Sequence, residues 1–217
     1  MPELDPLPLF PLHTVLFPGA LLPIHVFEPR YRLMIARCLD AASPFGVVLI
    51  RAGREVGDAA EPYAFGTKAR IVHHERLDDG RMHLACAGTT RFRIAELHHD
   101  EPYLTGRVEP VDEGATEPAA GAAAERARAA FERFVASLGT TASPDLRLPS
   151  DPAELSFALA AVLLLPLAEQ QLLLELTSTL ERLERLTATL ERELQLRRRV
   201  GLTRPAAPGQ IRPPSPN

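Results

Sequence analysis

Residues 7–31, LPLFPLHTVLFPGALLPIHVFEPRY, constrain the fold more than any other stretch, because their apolar runs are short and broken by Pro11, Pro18-Gly19 and Pro23. Proline removes a ladder donor and Pro-Gly marks a turn, so the segment predicts short strands at sheet edges and corners and excludes one long helix. A compact β unit is expected to open the chain. At Glu28-Pro29-Arg30-Tyr31 the pattern changes. A carboxylate close to free backbone N–H groups, followed by proline at the first helical position, predicts a helix start. Tyr31, Met34, Ile35, Cys38 and Leu39 then share one apolar face, opposite Arg30, Arg37 and Asp40.

Residues 45–50 (FGVVLI) form a continuous apolar run expected as a central strand, and the polar stretch RAGREVGDAAEPY reads as a loop. Strand signals return over residues 66–76. An Asp78-Asp79-Gly80 turn, alternation at Met82, Leu84 and Cys86, a second turn at Gly88-Thr89-Thr90, alternation at Phe92 and Ile94, and a last strand over residues 103–111 complete a β meander. About six or seven strands against one helix predict a small, partly open barrel.

Composition shifts at residues 112–121, DEGATEPAAG, a linker, and everything beyond is helical in pattern. A helix over 122–138 stops at Gly139, as a C′ glycine does. Asp151-Pro152-Ala153-Glu154 combines an N-cap acid, proline at N1 and glutamate at N3. That helix is broken at Pro166 and continues briefly through Gln171 to Leu176. Ser178 to Glu181 offers a capping box for a last helix carrying Leu180, Leu183, Leu186, Leu190 and Leu194, with Arg197, Arg198 and Arg199 at its end. The fold class expected is therefore α+β: a β domain over residues 1–112, an α-helical bundle domain over 113–203, and a disordered proline-rich tail over 204–217.

The 217 residues are 46% hydrophobic, enough for a sizeable core, and the formal charge of −4 supplies no basic field for nucleic acid or anionic membrane. Residues 155–167 fall short of the roughly 20 residues needed to cross a bilayer. The N-terminus lacks the basic and long apolar regions of a secretory signal. Cys38 and Cys86 lie on predicted core faces without CxxC spacing, as in a reducing compartment. A soluble cytoplasmic protein with no membrane partner is expected.

Glu28, Arg30 and Tyr31 could supply an acid, an anchor and a nucleophile, but the same residues open a helix, and the structural reading is favoured. His73-His74 and His98-His99 are adjacent pairs whose rings point to opposite faces of a strand, and His83 and Cys86 are likewise opposed, so no metal site is expected. No GxSxG elbow or Cys-His context announces catalysis, and no cofactor is implied. Alternation places Arg91 and Arg93 on one face opposite Phe92 and Ile94, which the acidic balance favours as a solvated outer face; an RNA-binding module is the alternative function. The favoured feature is apolar: Leu16, Phe17, Leu21 and Phe27, with neighbours such as Val15 and Val26, exceed what short edge strands readily bury, and an exposed subset would form a sticky patch for polypeptide. Glu28, Arg30 and Tyr31 join Leu16, Phe17, Leu21 and Phe27 as the candidate polypeptide-binding residues. The leucine stripe of the last helix suits a bundle core first and a homodimer seam second, since about three heptads is marginal for an independent coiled coil.

The pieces LPLFPLHTVLFPG, LPIHVFEPRY, PFGVVLIR, GTKARIV, GTTRFRI and LLLPLAEQQLLLELTSTLERLERL, in this order, resemble the Lon substrate-binding domain, the N-terminal domain of Lon-type ATP-dependent proteases that also occurs as stand-alone bacterial proteins. The resemblance covers most of residues 7–110 and 151–194. It implies a PUA-like β pseudo-barrel followed by a helical bundle, and non-catalytic recognition of unfolded or client polypeptide. No GxxxxGK[ST] motif is present, the sole lysine, Lys68, follows Gly66-Thr67 in a predicted strand, and the chain ends where Lon's ATPase and serine-lysine protease domains would begin.

Overall fold

The computed structural model of the chain describes residues 6–55, 60–112, 117–139 and 148–199, so the expected tail over 204–217 lies outside the described residues. Six strands and five helices are described, in the order β1 (Leu7–Leu12), β2 (Leu21–Val26), α1 (Pro29–Asp40), β3 (Phe45–Ala52), β4 (Glu61–Arg76), β5 (Met82–His98), β6 (Thr105–Pro110), α2 (Ala120–Ser137), α3 (Pro152–Val162), α4 (Leu167–Glu175) and α5 (Thr179–Arg199). The mixed α+β class is as expected.

Five of the strands close on themselves. β1 pairs in parallel with β3 and antiparallel with β6, β3 pairs with β4, β4 with β5, and β5 returns to β6. Closure leaves few free edges, one way small β units avoid edge-to-edge association. β2 stands outside this ring. It pairs with residues 82–87 of β5, while residues 92–98 of the same strand edge pair with β6. β5 can serve both partners because it and β4 are long, and their ends project from the ring as a three-stranded lobe with β2.

The predicted turn at Gly88-Thr89-Thr90 is instead a bulge inside the continuous β5. Thr67 of β4 faces Arg91, but Ala69 faces Gly88, so β5 carries one extra residue there. A bulge re-aims side chains. Thr89 and Thr90 are both exposed, and Arg91 and Phe92 are both buried. Gly88 crosses the β1–β2 connection at this point, donating to the Ala20 carbonyl at 2.9 Å and accepting from the Gly19 N–H at 3.0 Å. A Cβ at Gly88 would lie 2.3 Å from the Phe17 carbonyl oxygen, so only glycine fits. β4 also begins earlier than expected, at Glu61 in the predicted loop, where Ala52 and Ile50 of β3 supply partners.

Helix α1 starts at Pro29, and Tyr31, Met34, Ile35 and Cys38 are buried among Val26, Leu84 and Cys86. Glu28 is its N-cap residue by backbone conformation, but its carboxylate makes no cap bond and instead accepts from Arg30 Nε at 3.1 Å. The Asp151 cap is as predicted, accepting from the N–H groups of Ala153 at 2.9 Å and Glu154 at 3.0 Å. α3 stops at Val162, with Leu163 already extended ahead of Pro166. α2 packs along α5, and α3 against both. Their core also holds Val15, Phe17 and Leu49, so helices and β unit share one apolar cluster. Leu183, Leu186, Leu190 and Leu194 are buried within the chain itself, so the leucine stripe is core and not a dimer seam.

At α5, Ser178 Oγ accepts from the Glu181 N–H at 3.0 Å, as a capping box requires. Glu117, ahead of α2, adds a second carboxylate contact at this helix start, accepting from Ser178 Oγ at 2.6 Å and from the Leu180 N–H at 3.0 Å. The Ser178 hydrogen bond first, then the Leu180 N–H, hold the Glu117 carboxyl below its usual range. A lowered folded-state pKa contributes stability above the unfolded value that is lost as pH falls through the folded value. Thermal unfolding scanned from neutral to acid pH should therefore show a destabilisation on acidification that is smaller in Glu117→Gln. An identical acid dependence in the two proteins would refute this role.

Candidate functional site

The outer face of the three-stranded lobe is built by strand alternation. On β2, Ile24 and Val26 turn into the core, so Leu21, Pro23 and His25 turn out. The register aligns them with β5 and β4 in three rows: Leu21, Ala87 and Arg70; Pro23, Ala85 and His73; His25, His83 and Glu75. This face is open to solvent, with Leu21 70% and the following Phe27 47% exposed. Small alanines at the centre make it shallow. Phe27 packs its ring edgewise on His25, with centroids 5.9 Å apart.

The other edge of β2 borders a cleft of about 490 Å³ between the end of β1 and the start of α1, lined by Leu12, His13, Leu22, Phe27, Glu28 and Tyr31 among others. Tyr31 stacks on Phe10 with ring centroids 4.1 Å apart, and the Arg30 guanidinium lies 4.6 Å from the Tyr31 centroid. Arg30 also donates to the Glu55 carbonyl at 3.4 Å. Burial raises the Tyr31 hydroxyl pKa, opposed by the Arg30 charge and reinforced by the Glu28 and Glu55 carboxylates. A tyrosine held protonated in this way is a structural group and a hydrogen-bond donor, not a nucleophile.

The structure thus brings Phe27, Glu28 and Tyr31 together in the cleft, with Arg30 paired to Glu28 beside it and Leu21 on the adjoining face. Leu16 and Phe17 are 3% and 1% exposed. They lie beneath the surface, because the loop before Pro18-Gly19 is covered by α3 and by the core around α1. The expectation that they are accessible is corrected on that ground. Arg91 and Arg93 do not share a solvated face either: the bulge turns Arg91 inward, whereas Arg93 stays exposed and pairs with Glu109 at 3.3 Å. The two arginines therefore do not form the basic strand face that RNA binding would need.

Among the described residues no three His, Cys, Asp or Glu side chains are grouped to hold a metal ion. Burial pushes the Cys86 thiol up to about 12 and raises that of Cys38, which leaves both thiols unreactive at neutral pH. No described helix is long and apolar enough to cross a membrane. A second, more apolar cavity of about 730 Å³ lies between the β1–β2 connection and α3, lined by Pro18, Ala20, Val111, Phe157, Ala161 and Val162 among others. Beyond it Leu164 is fully exposed. Sequence reading misses Ala85, Ala87 and His25 as members of the β2 face, because only the register between β2 and β5 sets them side by side.

The family described as the ATP-dependent protease La (LON) substrate-binding domain matches residues 6–192. The fold superposes on a Lon N-terminal domain protein from Xanthomonas campestris with a TM-score of 0.63, 31% identity, and coverage of 85% of this chain and 98% of that one. The N-terminal domain of Mycobacterium avium complex Lon protease shares the fold, with a TM-score of 0.66 over 86% of this chain and 98% of that one, at 18% identity. Lon protease 2 of Myxococcus xanthus is 29% identical over 88% of this chain and 24% of its own length. The chain belongs to the Lon substrate-binding domain family, and it spans about a quarter of the length of that protease.

Proposed function

We propose that this chain is a non-catalytic recognition module for unfolded or client polypeptide, and that the contact surface is the open face of the lobe together with the cleft along β2. One observation carries the reading: in a family defined by substrate binding, Leu21 and Phe27 stand exposed on a shallow sheet face beside an apolar cleft. Exposed apolar groups of this kind are the ordinary means of gripping non-native polypeptide. In this reading the β unit recognises, and α2, α3 and α5 brace it through the apolar cluster they share.

Side-chain contact is favoured over strand addition. The free edge of β2 carries Pro23, which lacks an N–H, and the free edge of β4 is broken by a bulge at Val72 between Ile71 and His73. Both features blunt an edge.

The test is a fluorescence-anisotropy titration against a labelled, permanently unfolded polypeptide, with its folded parent as competitor. Selective binding of the unfolded form is expected, and Leu21→Glu or Phe27→Glu should weaken it about tenfold or more, the equivalent of losing one buried apolar side chain. Circular dichroism should not change. Loss of binding in Leu164→Glu but not in the β2 variants would move the site to the helical side. No binding at roughly tens of micromolar, where even weak specific complexes register, would overturn the function.

A further inference from the structure

The apolar cleft along β2 holds two polar groups that nothing within the chain satisfies. Tyr31 is 4% exposed and lines the cleft, and among the described residues its hydroxyl has no hydrogen-bond partner. A buried hydroxyl left without a partner costs stability, so one on the wall of a cleft points to a ligand that completes it. Glu55 is the second group. Its carbonyl is held beside α1 by Arg30 Nη2 at 3.4 Å. Its carboxylate is near enough to act on the Tyr31 hydroxyl, and it has no ion-pair partner among the described residues. We infer that the cleft takes a cationic side chain: the client segment it grips carries an arginine or lysine beside its apolar residues, the cation donating to the Tyr31 hydroxyl oxygen and to the Glu55 carboxylate. This deepens the polypeptide-recognition reading and rests on it.

The balance of charge sets the sign of the ligand. The titratable groups lining the cleft are His13, His25, Glu28, Tyr31 and Glu55, and among the described residues no lysine or arginine lines it. The Glu28 carboxylate is met by Arg30 at 3.1 Å and stands at the positive end of α1, so it is already compensated. Arg30 itself lines a separate cavity of about 150 Å³ that Tyr31 also borders. Arg54 precedes Glu55 in the chain but is exposed and does not line the cleft. With the histidines neutral, one carboxylate is left over, and it is that of Glu55. A phenolic hydroxyl both donates and accepts, so Tyr31 serves a cation as acceptor while keeping its own proton. The exposed ring of Phe27, also in the lining, offers a guanidinium an aromatic face, and Leu22 receives the stem of a long basic side chain.

The experiment uses the full chain and two fluorescein-labelled peptides that share one apolar core and differ at a single position, arginine or its uncharged isostere citrulline. Anisotropy is titrated at about pH 8, where imidazole is ordinarily neutral. The arginine peptide should bind roughly tenfold tighter, the difference between a charge-assisted and a neutral hydrogen bond. In Glu55→Gln the ratio of the two affinities should fall to about one, since the charge that distinguishes the peptides has lost its counterpart. Glu184→Gln, which removes an exposed carboxylate from α5, should keep the roughly tenfold ratio. Tyr31→Phe should weaken the arginine peptide about fivefold without lowering the urea midpoint, because the hydroxyl has no partner within the chain to lose. A lowered midpoint would overturn the assignment of that hydroxyl to the ligand. Equal binding of the two peptides overturns the inference and leaves polypeptide recognition standing, as does an arginine preference that survives in Glu55→Gln or is lost equally in Glu184→Gln. Absence of binding by either peptide at roughly tens of micromolar overturns both.

Discussion

Phe17→Glu is expected to abolish the folded state. Phe17 is 1% exposed, its ring lies 6.4 Å from that of Phe157 in α3, and with Val15 and Leu49 it is the β unit's contribution to the cluster formed by α2, α3 and α5. Removing a buried phenylalanine costs about 3–5 kcal/mol. The glutamate must then be buried either charged or as an unpartnered acid, a further penalty of several kcal/mol. The sum approaches the roughly 5–15 kcal/mol by which a domain is stable at all. Circular dichroism with urea titration should show no cooperative transition, whereas Phe17→Leu, which keeps most of the volume, should retain one with a loss of about 1.5 kcal/mol or less. The contrast with Leu21→Glu, four residues away and expected to be silent in the same measurement, separates the core from the surface of this segment. A folded Phe17→Glu protein would mean that the helices do not rest on the β1–β2 connection.

That pair of residues shows where sequence reading stops. Leu16, Phe17, Leu21 and Phe27 are alike in composition and in strand context, and nothing local distinguishes the buried two from the exposed two. For Phe17 the difference is made by α3, some 140 positions further along the chain, which covers it through Phe157, and for Leu16 by the core around α1. By contrast the apolar face and the proline start of α1 are legible, because both are local properties. The Asp151 and Ser178 caps are legible for the same reason. Glu28 misleads because an N-cap position and a neighbouring arginine compete for one carboxylate, and Arg30 wins. Arg91 misleads because strict alternation does not survive a bulge, and Gly88-Thr89-Thr90 has the composition of a turn as much as of a bulge. The lobe face depends on the register between β2 and β5, which two distant segments settle together.

The inward turn of Arg91 has a large consequence of its own. Its guanidinium reaches the C-terminal end of α4, donating to the Leu174 carbonyl and, at 2.6 Å, to the Leu176 carbonyl. Arg182 of α5, 0% exposed, donates to the same Leu176 carbonyl at 2.5 Å, to Ser156 Oγ of α3 at 2.7 Å and to Thr179 Oγ1 at 3.3 Å. Phe157 lies between the two cations, 5.1 Å from Arg91 and 4.0 Å from Arg182. The last carbonyls of a helix lack partners within it and carry the negative end of its dipole, so two arginines there satisfy orphan acceptors and suit the field. They also join β5, α3, α4 and α5 at one point. Arg182→Ala should therefore destabilise the protein by about 3–5 kcal/mol, the scale for dismantling a buried charged network. Arg91→Ala should do so by a similar amount, and because the two share one acceptor and one ring, the double variant should depart from additivity by about 0.5–3 kcal/mol. Urea unfolding of the four proteins measures each corner of the cycle. Additive effects of less than about 1 kcal/mol apiece would reduce the arginines to independent surface-like contacts and leave apolar packing alone to hold the helices against the barrel.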